Sequence, residues 1–183
     1  HAGRGVTLAL ANGQREMFDQ VVMATHADQA LALLEQPSPA ERDILGAIPY
    51  QTNDVVLHTD IRLLPRNTRT WSSWNYTLGQ HEQRAVVTYN MNILQGIEAP
   101  ETFCVTLNNT AAINPHKIIG QFQYDHPVFS LAGMAAQRRW EEINGAANTW
   151  YCGAYWHNGF HEDGVVSALR VANALCHRAR VAA

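Results

Sequence analysis

Residues 149–169 read TWYCGAYWHNGFHEDGVVSAL, a short apolar strand that stops at a glycine and becomes a helix after one loop. A strand handed to a helix in this way is the unit of α/β architecture, and it constrains the fold more than any other stretch. The helix runs on to Arg180, with Val165, Ala168, Leu169, Ala172, Leu175 and Cys176 on the face expected to pack inward. Glu162 and Asp163 stand at its start and His177, Arg178 and Arg180 at its end, which suits the helix dipole. The other end of the chain has the same style. GVTLALANGQREMF predicts a hairpin turning at Asn12-Gly13, and QVVMAT is a continuous apolar run of the kind that forms a strand buried on both faces. HADQALALLEQ follows with Ala27, Ala30, Leu31 and Leu34 at helical spacing.

Between the two ends the pattern changes. SPAERDILGAI predicts a helix with Ser38 as cap, Pro39 in the first turn, Glu41 closing a capping box, and Ile44, Leu45 and Ile48 inside. DVVLHTD, AVVTYNMNI, FCVTL and KIIGQFQY then read as strands of an antiparallel sheet, separated by polar turns. AGMAAQRRWEEIN predicts one helix ending near Asn144-Gly145. The predicted fold is therefore α+β with α/β-type ends.

Composition removes several function classes. Hydrophobic residues are 46% and charged residues 16%, a globular balance, and a net charge of −3 leaves no basic footprint for nucleic acid. No apolar run approaches the roughly 20 residues that cross a bilayer. The opening HAGRG has no apolar core of a signal peptide, and a start at His1, a few residues before a strand, leads us to expect a fragment or a processed product. Cys104, Cys152 and Cys176 are odd in number and share no short spacing, which fits a reducing compartment, the cytoplasm.

Three chemistries compete for residues 149–169. His157 and His161 stand four apart, but Asn158-Gly159 between them signals a loop, and no third metal ligand follows at a recognised spacing. Cys152 could pair with either histidine as a nucleophile, yet it lies mid-strand with no nucleophile elbow around it. The third option is a cofactor cradle. Gly153 and Ala154 lack bulk, so a flat ligand could approach the backbone, and the helix starting near Asp163-Gly164 offers N–H groups and positive potential. An ordinary capped helix packed on a strand stays open beside it.

TWYCGAYWHNGFHEDGVVSALRVANAL resembles the C-terminal FAD-binding segment of the amine oxidase and phytoene desaturase group of flavoproteins. FDQVVMATHADQALALL resembles the segment of that group that closes a hairpin and re-enters the FAD domain. NDVVLHTDIRLLPRNTRTWSSWNY and YDHPVF are similar to a bacterial amine-oxidase-like branch. The resemblance implies that 1–36 and 146–183 are parts of an FAD domain and that 37–145 is a mostly antiparallel substrate domain. It also implies FAD as cofactor, held here by Gly153, Ala154, His161, Glu162, Asp163, Gly164 and Val165, the last four through backbone N–H groups at the helix start. Many relatives carry an acidic residue where this chain has Ala154. The strand–GxGxxG–helix fingerprint is absent, so an upstream half would have to bind the ADP portion, and the chain alone is expected to bind FAD feebly or not at all and to be inactive.

On the substrate side the resemblance leaves His58, Trp74, Asn75, Tyr76 and Tyr124 as candidates, with an apolar small molecule as the guess and no catalytic residue assigned. Packing aromatics and a core histidine are the ordinary readings of the same residues. The expected function is a flavin-mediated oxidoreductase represented by its C-terminal part. The rival is a non-catalytic α+β module that binds a ligand or a partner. A face left bare by a missing half predicts self-association of the isolated chain.

Overall fold

A computed structural model of the protein describes residues 5–78 and 85–182. In chain order the elements are β1 (Val6–Ala9), β2 (Arg15–Phe18), β3 (Val21–Met23), α1 (Ala27–Leu33), α2 (Pro39–Gly46), β4 (Tyr50–His58), β5 (Trp74–Thr77), β6 (Val86–Asn90), α3 (Met91–Gln95), β7 (Cys104–Leu107), β8 (Ile118–Pro127), α4 (Leu131–Gln137), α5 (Trp140–Ile143), β9 (Thr149–Tyr151) and α6 (His161–Ala182). The fold is α+β. It divides into two compact units, one of residues 1–50 with 127–183 and one of residues 51–126. These limits lie inside the expected boundaries at 36/37 and 145/146, because α2, α4 and α5 pack with the chain ends.

Unit one is built on a parallel pair, β3 with β9, in the register Val21↔Thr149, Val22↔Trp150 and Met23↔Tyr151. Its core gathers Ala27 and Ala30 of α1, Ile44 and Leu45 of α2, Trp140 and Ile143 of α5, Trp150 and Tyr151 of β9, and Val171 of α6. The β1–β2 hairpin turns at Gly13, whose φ of 84° suits glycine. The capping box of α2 is present as expected: Glu41 N–H donates to Ser38 Oγ, and Ser38 N–H donates to Glu41 Oε2 at 2.7 Å. Glu41 is itself buried, and its Oε1 accepts the Tyr151 hydroxyl at 2.6 Å. That bond ties the start of α2 to β9.

Unit two is a five-stranded sheet in the order β5-β6-β7-β4-β8, antiparallel across β5–β6, β6–β7 and β7–β4. The run AVVTYNMNI is strand only to Asn90. There the Asn90 side chain accepts the Ile93 N–H at 3.2 Å and starts α3, which Gly96 ends at a φ of 64°.

Four local expectations are corrected. β3 is not buried on both faces: Val22 is 45% exposed, because β9 is the only strand beside it among the described residues. The helix read over 132–144 breaks after Gln137, and the turn lets Arg139 bind both Asp43 and Glu142 while Trp140 and Ile143 enter the core. The strand read over 149–155 stops at Tyr151. Helix α6 buries Ser167 and Val171 and half-buries Ala174 and Leu175, whereas Val165, Ala168, Leu169, Ala172 and Cys176 of the expected inner face are exposed. Replacing Glu41 by Ala removes half a cap and strands the buried Tyr151 hydroxyl, so a loss of about 2–4 kcal/mol is expected in urea unfolding.

Candidate functional site at the carboxyl ends of the parallel strands

The carboxyl ends of parallel strands are where open α/β sheets bind ligands. Here β3 ends in Ala24-Thr25-His26 and β9 in Cys152-Gly153-Ala154. Cys152 N–H donates to Met23 O at 3.0 Å and prolongs the pair by one bond. Gly153 N–H donates to Ser167 Oγ at 3.1 Å, which anchors α6 to the strand end. A 3₁₀ turn over Ala154–Trp156 follows, held by the Trp156 indole donating to Tyr151 O and by Gln137 Nε2 donating to the carbonyls of Tyr155 and His157.

Gly153 is needed for a different reason from the one expected. A Cβ there would lie 2.5 Å from Tyr155 Cε1, so the space beside the glycine is filled by the protein's own ring rather than left for a ligand. Gly164 differs: a Cβ would meet only Ala154, its methyl and its backbone nitrogen each at 3.9 Å, ordinary contacts. Helix α6 begins at His161, two residues before the expected start. Asp163 Oδ2 accepts the N–H groups of Asn158 and Phe160 at 3.1 and 2.9 Å, so its side chain folds the loop back onto the helix. Gly164 donates to Phe160 O, which leaves the N–H groups of His161, Glu162 and Asp163 ahead of the helical ladder. His161 and Glu162 are exposed, and Val165 is 53% exposed.

Three residues at this end of unit one escaped the sequence reading. His26 stacks on Tyr50 with ring centroids 4.5 Å apart. Tyr50 Oη accepts the Ala27 N–H at 3.1 Å, and burial pushes the phenol up to about 12. Tyr155 is 3% exposed, burial pushes its phenol up as well, and its hydroxyl has no hydrogen-bond partner among the described residues; nor has His26 Nδ1. Buried polar atoms without partners are rare enough to mark a place. No local motif joins His26, Tyr50 and Tyr155; the fold alone brings them together.

The other chemistries gain no geometry. Burial pushes the Cys152 thiol up, the opposite of what a nucleophile needs. Among the described residues no three His, Cys, Asp or Glu side chains are grouped to hold a metal ion.

In unit two, His58 is fully buried with both ring nitrogens engaged. Nδ1 accepts the Asp60 N–H at 3.0 Å, so Nε2 carries the proton and donates to Thr106 Oγ1 at 2.7 Å, and Thr106 in turn bonds Thr88 Oγ1 at 2.9 Å. The Asn75 amide bonds the carbonyls of Ser72 and Thr88. Trp74 and Tyr76 share one face of β5, each 61% exposed, and the register sets Tyr89 and Val87 beside them, then Val105 and Leu107 on β7, then Leu57 and Val55 on β4. The result is an apolar face without a charge. Tyr124 is half exposed and stacks on Phe122, with centroids 5.9 Å apart. A cleft of about 430 Å³ lies nearby among Asp54, Val56, Thr110, Gln121, Phe122 and Gln123.

No protein-family model and no curated protein matches the sequence. The fold does find a counterpart. The solved structure of the "putative protoporphyrinogen oxidase" from Exiguobacterium sp. 255-15 superposes with a TM-score of 0.60 at 10% identity. The match covers 96% of this chain and 44% of that one, so the chain spans less than half the length of its structural counterpart. At this identity the likeness is one of fold. No helix among the described residues is long and apolar enough to cross a membrane.

Gly153→Ala should cost about 1–3 kcal/mol by overpacking against Tyr155, in addition to the strain of a side chain at a φ of 158°; a Tyr155→Ala background should relieve the overpacking and leave the backbone strain, a split that a double-mutant cycle reads directly. Burial holds the His58 imidazole below its ordinary value of 6.5, so the unfolded chain takes up the proton first. The stability His58 contributes is thus full above about pH 6.5 and is lost as pH falls below it, which denaturant titrations at pH 7.5 and 5.5 would show. Asp60 does not confound that window. The Arg62 guanidinium and the Asn114 and Arg62 N–H groups hold its carboxylate well below the usual range, so its contribution is lost only in stronger acid.

Proposed function

We propose that the chain is the C-terminal part of an FAD-dependent oxidoreductase of amine-oxidase type. The observation that carries this reading is the fold match over 96% of the chain to a protein described as an oxidase, in company with the sequence resemblance of both chain ends to FAD-domain segments. On this reading unit one contributes the C-terminal pieces of the FAD domain and residues 51–126 the substrate domain.

The residues present fit part of such a cofactor. The N–H groups of His161, Glu162 and Asp163 favour negative charge, as a helix start does. Gly164 leaves α6 slim at its first turn, while Gly153 and Ala154 shape the strand end. His26, Tyr50 and Tyr155 add buried polar groups, and burial keeps both phenols in their neutral, hydrogen-donating form. A bound flavin would supply the hydride-accepting chemistry. In unit two, Trp74 and Tyr76 with the apolar rows behind them suit a flat apolar substrate and exclude water, with Tyr124 as a further aromatic contact. His58 and Asn75 act by holding the sheet rather than by touching substrate.

A second reading, a non-catalytic binding module, is favoured by two observations. The chain has no dinucleotide fingerprint, and its own Tyr155 fills the space at Gly153. The visible absorption spectrum separates the two. The chain alone should purify colourless, and the polypeptide carrying its flanking coding sequence should show flavin bands. A colourless protein from both that takes up no added FAD would sink the flavoprotein reading.

A further inference from the structure

We infer that the cleft beside the outer strand of unit two is a binding site for a sugar ring, on the face of the sheet opposite Trp74 and Tyr76. Its place follows from the register. Residues directly opposed on neighbouring strands share a face, and successive residues along a strand alternate. Val56, Thr106 and Thr88 therefore lie on one face, and Val55, Leu107, Val87 and Tyr76 on the other. Val56, 1% exposed, is the apolar floor of the cleft. The apolar wall that begins at Trp74 and Tyr76 is thus across the sheet from it, and the cleft is a separate place.

The rim is held by specific bonds. Asp54 N–H donates to Asn108 Oδ1 at 3.2 Å, and Asn108 N–H donates to Asp54 O at 2.9 Å. Asn108 takes a φ of 58°, so the chain turns there and brings Thr110 to the rim. The edge strand β8 contributes the consecutive residues Gln121, Phe122 and Gln123. A regular strand would send the middle one to the other face. Thr59 N–H donates to Lys117 O, and a regular ladder from there would set Phe122 opposite Asp54 and Tyr124 opposite Thr52. Instead Asp54 accepts from Gln123, and Thr52 donates to Asp125, each one residue further along β8. The extra residue is a β-bulge, which re-aims side chains at a sheet edge. Phe122 has a set position there. A Cβ at Gly120 would come within 3.0 Å of its ring, and the ring stacks on Tyr124 at an interplanar angle of 3°.

The lining selects the ligand. It offers an aromatic ring, a carboxylate, a hydroxyl and a pair of amides, and no cationic side chain among the described residues. Gln123 Nε2 donates to Asp54 Oδ1 at 3.3 Å, which sets carboxylate and amide side by side. A sugar ring has an apolar C–H face, which suits the exposed Phe122 ring. Its rim of hydroxyls, each both donor and acceptor, suits amides and a carboxylate. An organic cation would use only Asp54 and the ring, and a lone carboxylate in an open cleft is screened by salt. An apolar ligand would strip water from the polar groups of the rim. The volume of about 430 Å³ is that of a small-molecule site.

The inference stands apart from the flavoprotein reading, and the chain without flavin tests it. Amide NMR spectra of the isotope-labelled chain are recorded during titration with methyl β-D-glucopyranoside, methyl β-D-galactopyranoside and methyl α-D-mannopyranoside. At least one glycoside should shift the amides of Thr110, Gln121, Phe122 and Gln123 saturably, with a Kd on the order of 1 mM, and leave those of Trp74 and Tyr76 in place. That Kd should be the same at about 20 and 300 mM salt. Phe122→Ala and Asp54→Ala should each weaken binding about 10-fold or more. Should Asp54→Ala unfold the chain, Asp54→Asn, which keeps the shape, takes its place. Gly120→Ala, which displaces the ring and deletes no lining group, should weaken binding as well. Asp125→Asn, which removes a carboxylate outside the cleft, should not. No shift at these residues with any of the glycosides overturns the sugar site, as does binding that Phe122→Ala leaves unchanged. Choline chloride shifting the same amides in their stead, with a Kd that rises with salt, overturns it in favour of an organic cation.

Discussion

Unit one depends on one buried carboxylate. Glu41 accepts the Ser38 N–H with one oxygen and the Tyr151 hydroxyl with the other. The first bond closes the cap of α2, and the second fixes that helix against β9, the strand whose end carries the candidate site. A carboxylate taken out of water must have its hydrogen bonds met by protein. Glu41 meets them with one group of its own turn, Ser38, and one distant in sequence, Tyr151, so the position of α2 and the placement of Tyr151 are settled together. Everything downstream of Tyr151 then follows: Cys152 bonded to Met23, Gly153 bonded to Ser167, and the Tyr155 ring laid over the glycine.

That order changes what the glycine means. Gly153 and the first turn of α6 suggest a slot for a flat cofactor, and the first turn retains the N–H groups that such a ligand would use. The slot beside Gly153, however, is where Tyr155 sits. The polar features left for a ligand lie toward His26, Tyr50 and Tyr155, with His26 Nδ1 and the Tyr155 hydroxyl unpartnered among the described residues. A fold that matches over nearly the whole chain, at 10% identity, is compatible with such local rearrangement, because fold depends on the pattern of burial and a binding site depends on particular atoms.

The exposed surface of unit one has a common physical origin. Val22, Val165 and Leu169 are apolar residues of elements whose sequence is that of interior elements, yet they face solvent. The core of the unit is built from aliphatic side chains of α1, α2 and α5 with the rings of Trp140, Trp150, Tyr151, Tyr155 and Trp156, and the exposed residues of α6 lie outside it. Unit two divides polar and apolar side chains between its two sheet faces. Its sheet uses one face for a buried polar ladder, His58 to Thr106 to Thr88, and turns the apolar rows that begin at Trp74 and Tyr76 the other way.

What could be read from the sequence was local. Asn12-Gly13 dictates a hairpin because Gly13 takes a positive φ and the Asn12 side chain accepts the Gln14 N–H within the turn. Ser38, Pro39 and Glu41 dictate a helix start because their groups bond within one turn. The shift from α/β ends to a β-rich middle shows in hydrophobic periodicity, as does the shared face of Trp74 and Tyr76. Tertiary structure decided what depends on distant partners. The exposed seam of α6 and the half-exposed β3 look like core by pattern, since periodicity reports which residues can be buried and not what lies beside them. The break after Gln137 answers to Arg139 and its two acids. The meeting of His26, Tyr50 and Tyr155 answers to the parallel pairing of β3 with β9, an arrangement of backbones that no short stretch of sequence encodes.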